Sequence, residues 1–152
     1  MAIKDSIDRS SSCRSRSAPK LIDLTGIRIL LVDDDLEQLE LVSELLAEAN
    51  ADVMTATSAD EAIEQLAQCA PDVIVSDINM PGCDGYHLLR RVRSRNLQEG
   101  GATPAIALTG KTTTEDQTRA LLSGYQMHVP KPFRVIELLV AIRNVVKDQS
   151  GP

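Results

Sequence analysis

Aromatic side chains are nearly missing from this chain. Tyr86, Tyr125 and Phe133 are the whole set, and tryptophan is absent. A platform for stacking the bases of a single-stranded nucleic acid therefore lacks its raw material. Cysteine is equally sparse. Cys13, Cys69 and Cys83 are odd in number and far apart, in neither a CxxC nor a zinc-binding spacing. That usage predicts a reduced, cytoplasmic protein rather than a disulfide framework. Long apolar runs are missing too. The longest, Leu138-Leu139-Val140-Ala141-Ile142, falls far short of the ~20 residues a membrane-spanning helix needs. No membrane insertion is expected, and the polar N-terminus shows no apolar secretory segment. Positive charge is in deficit, with 16 Lys and Arg against 22 Asp and Glu, a net charge of -6. An acidic chain repels a phosphate backbone, so direct nucleic-acid binding is not expected.

What remains is an ordinary globular composition, 43% hydrophobic and 25% charged over 152 residues. That is one domain with a short appendage. Residues 1–26 stand apart. They contain Ser10-Ser11-Ser12-Cys13-Arg14-Ser15-Arg16-Ser17 and hold five basic against three acidic side chains, leaving -8 on the rest. A Ser- and Arg-containing lead with few large apolar groups buries too little to offset its ordering entropy. It is expected to be a flexible tail, followed by a domain over 27–148 and a short C-terminal tail over 149–152.

From Ile27 the pattern alternates. Ile27 to Val32 reads as a buried strand, and Leu36, Leu39, Val42, Leu45, Leu46 and Ala49 follow at helical spacing. Val53 to Ala56 is a weaker strand, and Ser58 with Glu61 predicts a capping box before Ala59, Ala62, Ile63 and Leu66. Val73-Ile74-Val75 is a third strand, trailed by a helix carrying Leu88, Leu89 and Val92. Ala105 to Leu108 is a fourth strand, and Glu115 to Leu122 a helix ending at Gly124. Gln126 to Val129 is a fifth strand before an amphipathic helix from Val135 to Val146. Strands alternating with helices, and apolar throughout, predict an α/β fold with a parallel sheet covered on both faces.

In such a sheet the chemistry collects beyond the carboxyl ends of the strands. Asp33, Asp34 and Asp35 follow the first strand and Asp77 ends the third. Thr109 and Gly110 follow the fourth, and Lys131 lies between Pro130 and Pro132 after the fifth. Carboxylates gathered at one edge need a cation to stay ionised. All-oxygen ligands favour a hard metal, Mg²⁺ first and Mn²⁺ or Ca²⁺ next. An Asp among them can act as a nucleophile toward a phosphoryl group, with Lys and Thr binding the transferred oxygens. Asp35 reads as the cap of the first helix, yet the metal pair can be drawn as Asp33 with Asp34 or as Asp34 with Asp35.

Four motifs in order, each ending a strand, carry a resemblance. They are Leu-Val-Asp-Asp at 31–34, Ser-Asp-Ile-Asn-Met-Pro-Gly-Cys-Asp-Gly at 76–85, Leu-Thr-Gly at 108–110 and Lys-Pro-Phe at 131–133. The chain resembles the response-regulator receiver domains of two-component signalling, over about Ile27 to Lys147. The resemblance implies a flavodoxin-like (βα)5 three-layer sandwich with strand order 2-1-3-4-5. It implies that Asp77 accepts a phosphoryl group from a sensor-kinase phosphohistidine. Asp34 would bind Mg²⁺ directly, Asp33 largely through water, and Asn79 through its backbone carbonyl, with Thr109 and Lys131 on the phosphoryl oxygens. A cis Lys131–Pro132 bond is also implied. The partners would be a histidine kinase or histidine phosphotransfer protein and a downstream target. That target would meet a surface of the fourth helix, fifth strand and fifth helix. With little chain after the last helix, the expectation is a single-domain response regulator, a switch rather than a turnover enzyme. A relay step or phosphate sink also fits.

Two departures stand out. The switch aromatic that many receivers carry three residues before the Lys is His128 here, either a switch or a plain strand-edge residue. The residue after Thr109 is Gly110 where Ala is more usual. Both resemble receivers attached to hybrid sensor kinases. A haloacid-dehalogenase-like phosphatase is disfavoured because Asp33-Asp34-Asp35-Leu36 lacks the continuation that family expects. An inert receiver-like module is disfavoured by the intact acidic cluster. The basic run Arg90, Arg91, Arg93 and Arg95 reads as a solvated helix face, Tyr125 and Phe133 as packing residues, and Tyr86 as partly exposed. A redox role for Cys83, close to Asp77 in sequence, is only weakly motivated.

Overall fold

A computed structural model of the chain describes residues 22–80, 84–110 and 113–150. Its strands are β1 (Arg28–Val32), β2 (Asp52–Ala56), β3 (Val73–Asp77), β4 (Ala105–Thr109) and β5 (Met127–Pro130). Its helices are α1 (Leu36–Glu48), α2 (Ala59–Cys69), α3 (Gly85–Arg93), α4 (Thr114–Ser123) and α5 (Val135–Ser150), with a 3₁₀ turn at Leu97–Glu99. All pairings are parallel and the strand order is 2-1-3-4-5, the flavodoxin-like sandwich expected.

Each strand serves two cores because successive side chains point to opposite faces. Leu30, Val32, Ile74, Ala105 and Ala107 pack beneath α2, α3 and α4, whereas Ile29, Leu31, Val73, Val75, Ile106 and Leu108 pack beneath α1 and α5. Double-sided burial is why β1, β3 and β4 read as unbroken apolar runs.

The helix starts follow from their caps. Asp35 accepts from the Glu37 and Gln38 amides, Asp84 from His87 and Thr113 from Asp116. Ser58 accepts from the Glu61 amide, but the returning Glu61 carboxylate reaches Thr57, one residue earlier than a standard capping box. Those bonds hold the Glu61 carboxyl below its ordinary pKa.

Four expectations change in detail. Residues 22–26, assigned to the tail, pack on the body. Ile22 and Leu24 are buried in the α1/α5 core, and the Leu24 amide donates to Ala49 at 2.8 Å. The α5 helix runs to Ser150, past the boundary expected at 148. Tyr86 is only 4% exposed and lies under the Arg119 guanidinium, 4.2 Å from its ring centre. Arg93 is no solvated arginine. Its guanidinium donates to the carbonyls of Gly101, Thr103 and Gly124, and to the Gln126 side chain. It therefore fastens the end of α3 to the junction between α4 and β5. Residues 1–21 and Cys83 lie outside the described residues.

Arg93→Met removes the fork and leaves partly buried carbonyls unpaired. Chemical denaturation should show a loss of about 1–3 kcal/mol, against a negligible change for exposed Arg90→Met. Leu24→Ala should cost about 2–5 kcal/mol if residues 22–26 belong to the core; a loss within error would detach them from it.

Candidate functional site

Parallel pairing sets the site. Val32 lies opposite Ser76, and Asp77 opposite Leu108, so the ends of β1, β3 and β4 align. Asp33 follows β1 directly, Asp77 ends β3, Thr109 ends β4 and Lys131 follows β5. Carboxylate oxygens of Asp33, Asp34 and Asp77 all lie within 4.8 Å of one another. The Lys131 Nζ stands 3.3 Å from Asp77 Oδ1. Its backbone amide donates to the Thr109 carbonyl at 2.8 Å, which locks the two residues side by side. The Lys131–Pro132 bond is cis.

Burial divides the cluster. Asp33, Asp77 and Thr109 are buried, whereas Asp34 is exposed and Lys131 half-buried. The Asp33 carboxyl is raised above its ordinary pKa chiefly by burial, with the Asp77 and Asp34 charges adding to it. The Asp35 amide, bonded to Asp33 Oδ1 at 3.0 Å, and the Lys131 charge act in the opposite direction. Three carboxylates facing one ammonium leave a local charge of -2 when ionised. A divalent cation cancels that charge, and the donors are all oxygens, which fits Mg²⁺ or Mn²⁺.

The Asp35 carboxylate is engaged in capping α1, and the gathered group is Asp33, Asp34 and Asp77. Asn79 sits two residues past Asp77, and its amide donates to Asp77 Oδ1 at 3.4 Å. Pro81, Gly82 and Cys83 lie outside the described residues. His128 is half-buried on β5, opposite Ala107. A Cβ at Gly110 would meet nothing within 4 Å, so the structure shows no steric demand for glycine there.

The geometry agrees with the sequence comparisons. A family model described as the response regulator receiver domain matches residues 29–143. This chain belongs to the response-regulator receiver family. It is 40% identical over 116 residues to an uncharacterized 14.6 kDa protein of Leptolyngbya boryana, covering 76% of this chain and 87% of that one. It is 36% identical to the transcriptional regulatory protein TrcR of Mycobacterium tuberculosis, over 84% of this chain but 48% of that protein. The receiver thus spans about half of TrcR, and 8% of the hybrid signal transduction histidine kinase D of Dictyostelium discoideum, to which it is 35% identical. Among solved structures, the chemotaxis protein CheY4 of Vibrio cholerae superposes with a TM-score of 0.73 at 31% identity, covering 78% of this chain and 98% of that one. The receiver domain of Francisella response regulator 1452 gives 0.75 at 29% identity, over 82% and 100%. As a receiver of two-component systems, the chain carries its family's acidic pocket. No helix among the described residues is long and apolar enough to cross a membrane.

If Asp33 rather than Asp35 partners Asp34 in the cation site, substitutions at those two positions should separate cleanly. Mg²⁺ should stabilise the parent protein by mass action, by about 2.7 kcal/mol at a hundredfold excess over its Kd, and so raise its thermal midpoint. Asp33→Asn should lose that gain. Asp35→Ala should keep it while lowering the metal-free stability by about 0.5–2 kcal/mol through the lost cap. Loss of the Mg²⁺ effect in Asp35→Ala alone would reverse the assignment.

Proposed function

We propose that this receiver is a phosphorylation-controlled switch with Asp77 as its phosphoacceptor. One observation carries the reading: Lys131 Nζ stands 3.3 Å from Asp77 Oδ1, within a cluster otherwise built of carboxylates. An amine there would neutralise charge on a phosphoryl group arriving at Asp77. Asp33, Asp34, Asp77 and the Asn79 carbonyl would hold Mg²⁺. When bound, the ion supplies positive charge and ligand positions for the phosphoryl oxygens.

The chain's own residues do the rest. An Asp77 carboxylate oxygen attacks the phosphorus of a phosphohistidine. The P–O bond forms as the P–N bond breaks, and the donor imidazole leaves with the electron pair. Thr109, at the end of β4, and Lys131 receive the transferred oxygens. Hydrolysis returns Asp77 and inorganic phosphate, so the modification is transient and the protein acts as a switch rather than a turnover enzyme.

The output surface we assign is α4–β5–α5. Leu121 and Leu122 on α4 are 57% and 82% exposed, and Ile136 on α5 is 37% exposed. Residues of β5 and α5, including His128, Val129, Glu137 and Val140, line an open groove of about 240 Å³. Uncovered apolar side chains are a protein-docking feature. His128 lies within this face and is our candidate for the residue that moves on phosphorylation. The donor would be a histidine kinase or a histidine phosphotransfer protein in the cytoplasm, and the target a further protein. The likeness to a hybrid kinase's receiver keeps a relay role as the second reading.

Intact-mass spectrometry after incubation with Mg²⁺ and acetyl phosphate tests the core of this reading. The parent should gain one labile phosphoryl group, and Asp77→Asn none. No gain by a parent that binds Mg²⁺ would indicate an inert interaction module, and steady turnover of a phosphate monoester would indicate a phosphatase.

A further inference from the structure

Tyr125 was expected only to pack, but its hydroxyl has a specific target. The residue is 2% exposed, and the O–H donates to the Gly85 carbonyl at 2.8 Å. Burial pushes its pKa well up, so the group stays protonated and remains a donor. A buried hydroxyl without a partner is costly, whereas phenylalanine fills the same space without that requirement. The hydroxyl therefore has a reason to be there beyond packing.

Gly85 is the closing residue of the turn that leaves Asp77. Its amide donates to the Ile78 carbonyl at 2.9 Å, and the Met80 amide reaches the same carbonyl at 3.1 Å. A Cβ at Gly85 would lie 2.7 Å from the Asp77 carbonyl oxygen, and 2.9 Å from both Ile78 Cα and the Tyr125 hydroxyl. Only glycine permits that approach. Ser76 Oγ meanwhile donates to the Asp77 carbonyl at 3.0 Å. The backbone from Asp77 to Asn79 is thus clamped at the closure, and the Tyr125 side chain, at the approach to β5, bonds to the Gly85 end of it.

We propose that Tyr125 is a positioning residue for the cation site. Its hydroxyl fixes the Gly85–Ile78 closure, and that closure sets where the Asn79 carbonyl lies relative to Asp77. The inference rests on the reading of Asn79 as a metal ligand given above. Tyr125 immediately precedes the residues leading into β5, so the same bond ties the assigned output strand to the acceptor turn. Groups that orient ligands without touching the metal typically change affinity by tenfold or more.

The test is calorimetric titration of Mg²⁺ into the parent, Tyr125→Phe and Arg93→Met, with the urea midpoint of each. Arg93 holds the adjacent Gly124 carbonyl from the far end of α3, so Arg93→Met loosens the same junction away from the turn. Tyr125→Phe should weaken Mg²⁺ by roughly tenfold, and Arg93→Met should leave the affinity within about twofold despite its lower urea midpoint. Phosphorylation of Tyr125→Phe by acetyl phosphate should be slow at low Mg²⁺ and recover at saturating Mg²⁺. Parental affinity in Tyr125→Phe, or an equal loss in Arg93→Met, would overturn the proposal. Failure of the parent itself to bind Mg²⁺ would instead sink the underlying metal assignment, and this inference with it.

Discussion

Mutual repulsion among Asp33, Asp34 and Asp77 is the constraint around which this receiver is arranged. Two like charges about 4 Å apart repel by about 4 kcal/mol at the effective dielectric near a protein surface. A small domain has a total stability of only about 5–15 kcal/mol. The chain tolerates the cluster because its members end strands that the sheet fixes in place. Asp77 closes a strand buried along its whole length, and Asp33 follows one buried at four of five positions. Lys131 offsets one charge at 3.3 Å, and a divalent cation would cancel the remaining imbalance. Stability held in the two cores is thus what allows an unfavourable charge arrangement to persist at the functional edge.

The same edge is connected to the opposite end of α3. Gly85 begins that helix against the Asp77 turn and receives the Tyr125 hydroxyl. Arg93 ends it and grips the Gly124 carbonyl. Adjacent residues at the α4–β5 junction are therefore bonded to both ends of one short helix. On the function we propose, such a link would give a change at the carboxylate edge and a change on the α4–β5–α5 face a shared structural element to act through. Coupling of that sort is reciprocal, so a partner that prefers one arrangement must also alter affinity at the edge.

Much of this was legible in the residues. Apolar runs with no alternation marked double-sided strands, and the order of Asp33, Asp77, Thr109 and Lys131 along the chain placed them at one sheet edge. Whether Asp33 or Asp35 stands with Asp34 was not legible, because a capping Asp and one that joins a carboxylate cluster look alike until the helix start is fixed. Arg93 was hidden for a related reason. Four arginines close together look like a solvated face, and only the fold shows that one of them meets the carbonyls of Gly101, Thr103 and Gly124. Ile22 and Leu24 escaped because two apolar residues in a polar lead carry no periodicity. Tyr86 and Tyr125 escaped because their partners, Arg119 and the Gly85 carbonyl, are set by tertiary packing.

The central claim is that the carboxylate edge accepts a phosphoryl group at Asp77, assisted by a divalent cation and Lys131. Fluorine NMR of the protein with beryllofluoride, a tetrahedral mimic of a carboxylate-bound phosphoryl group, tests it most directly. The account predicts bound fluorine resonances that require Mg²⁺, vanish in Asp77→Asn and weaken in Lys131→Ala. Bound resonances that persist in Asp77→Asn, or none in the parent at saturating Mg²⁺, would contradict it.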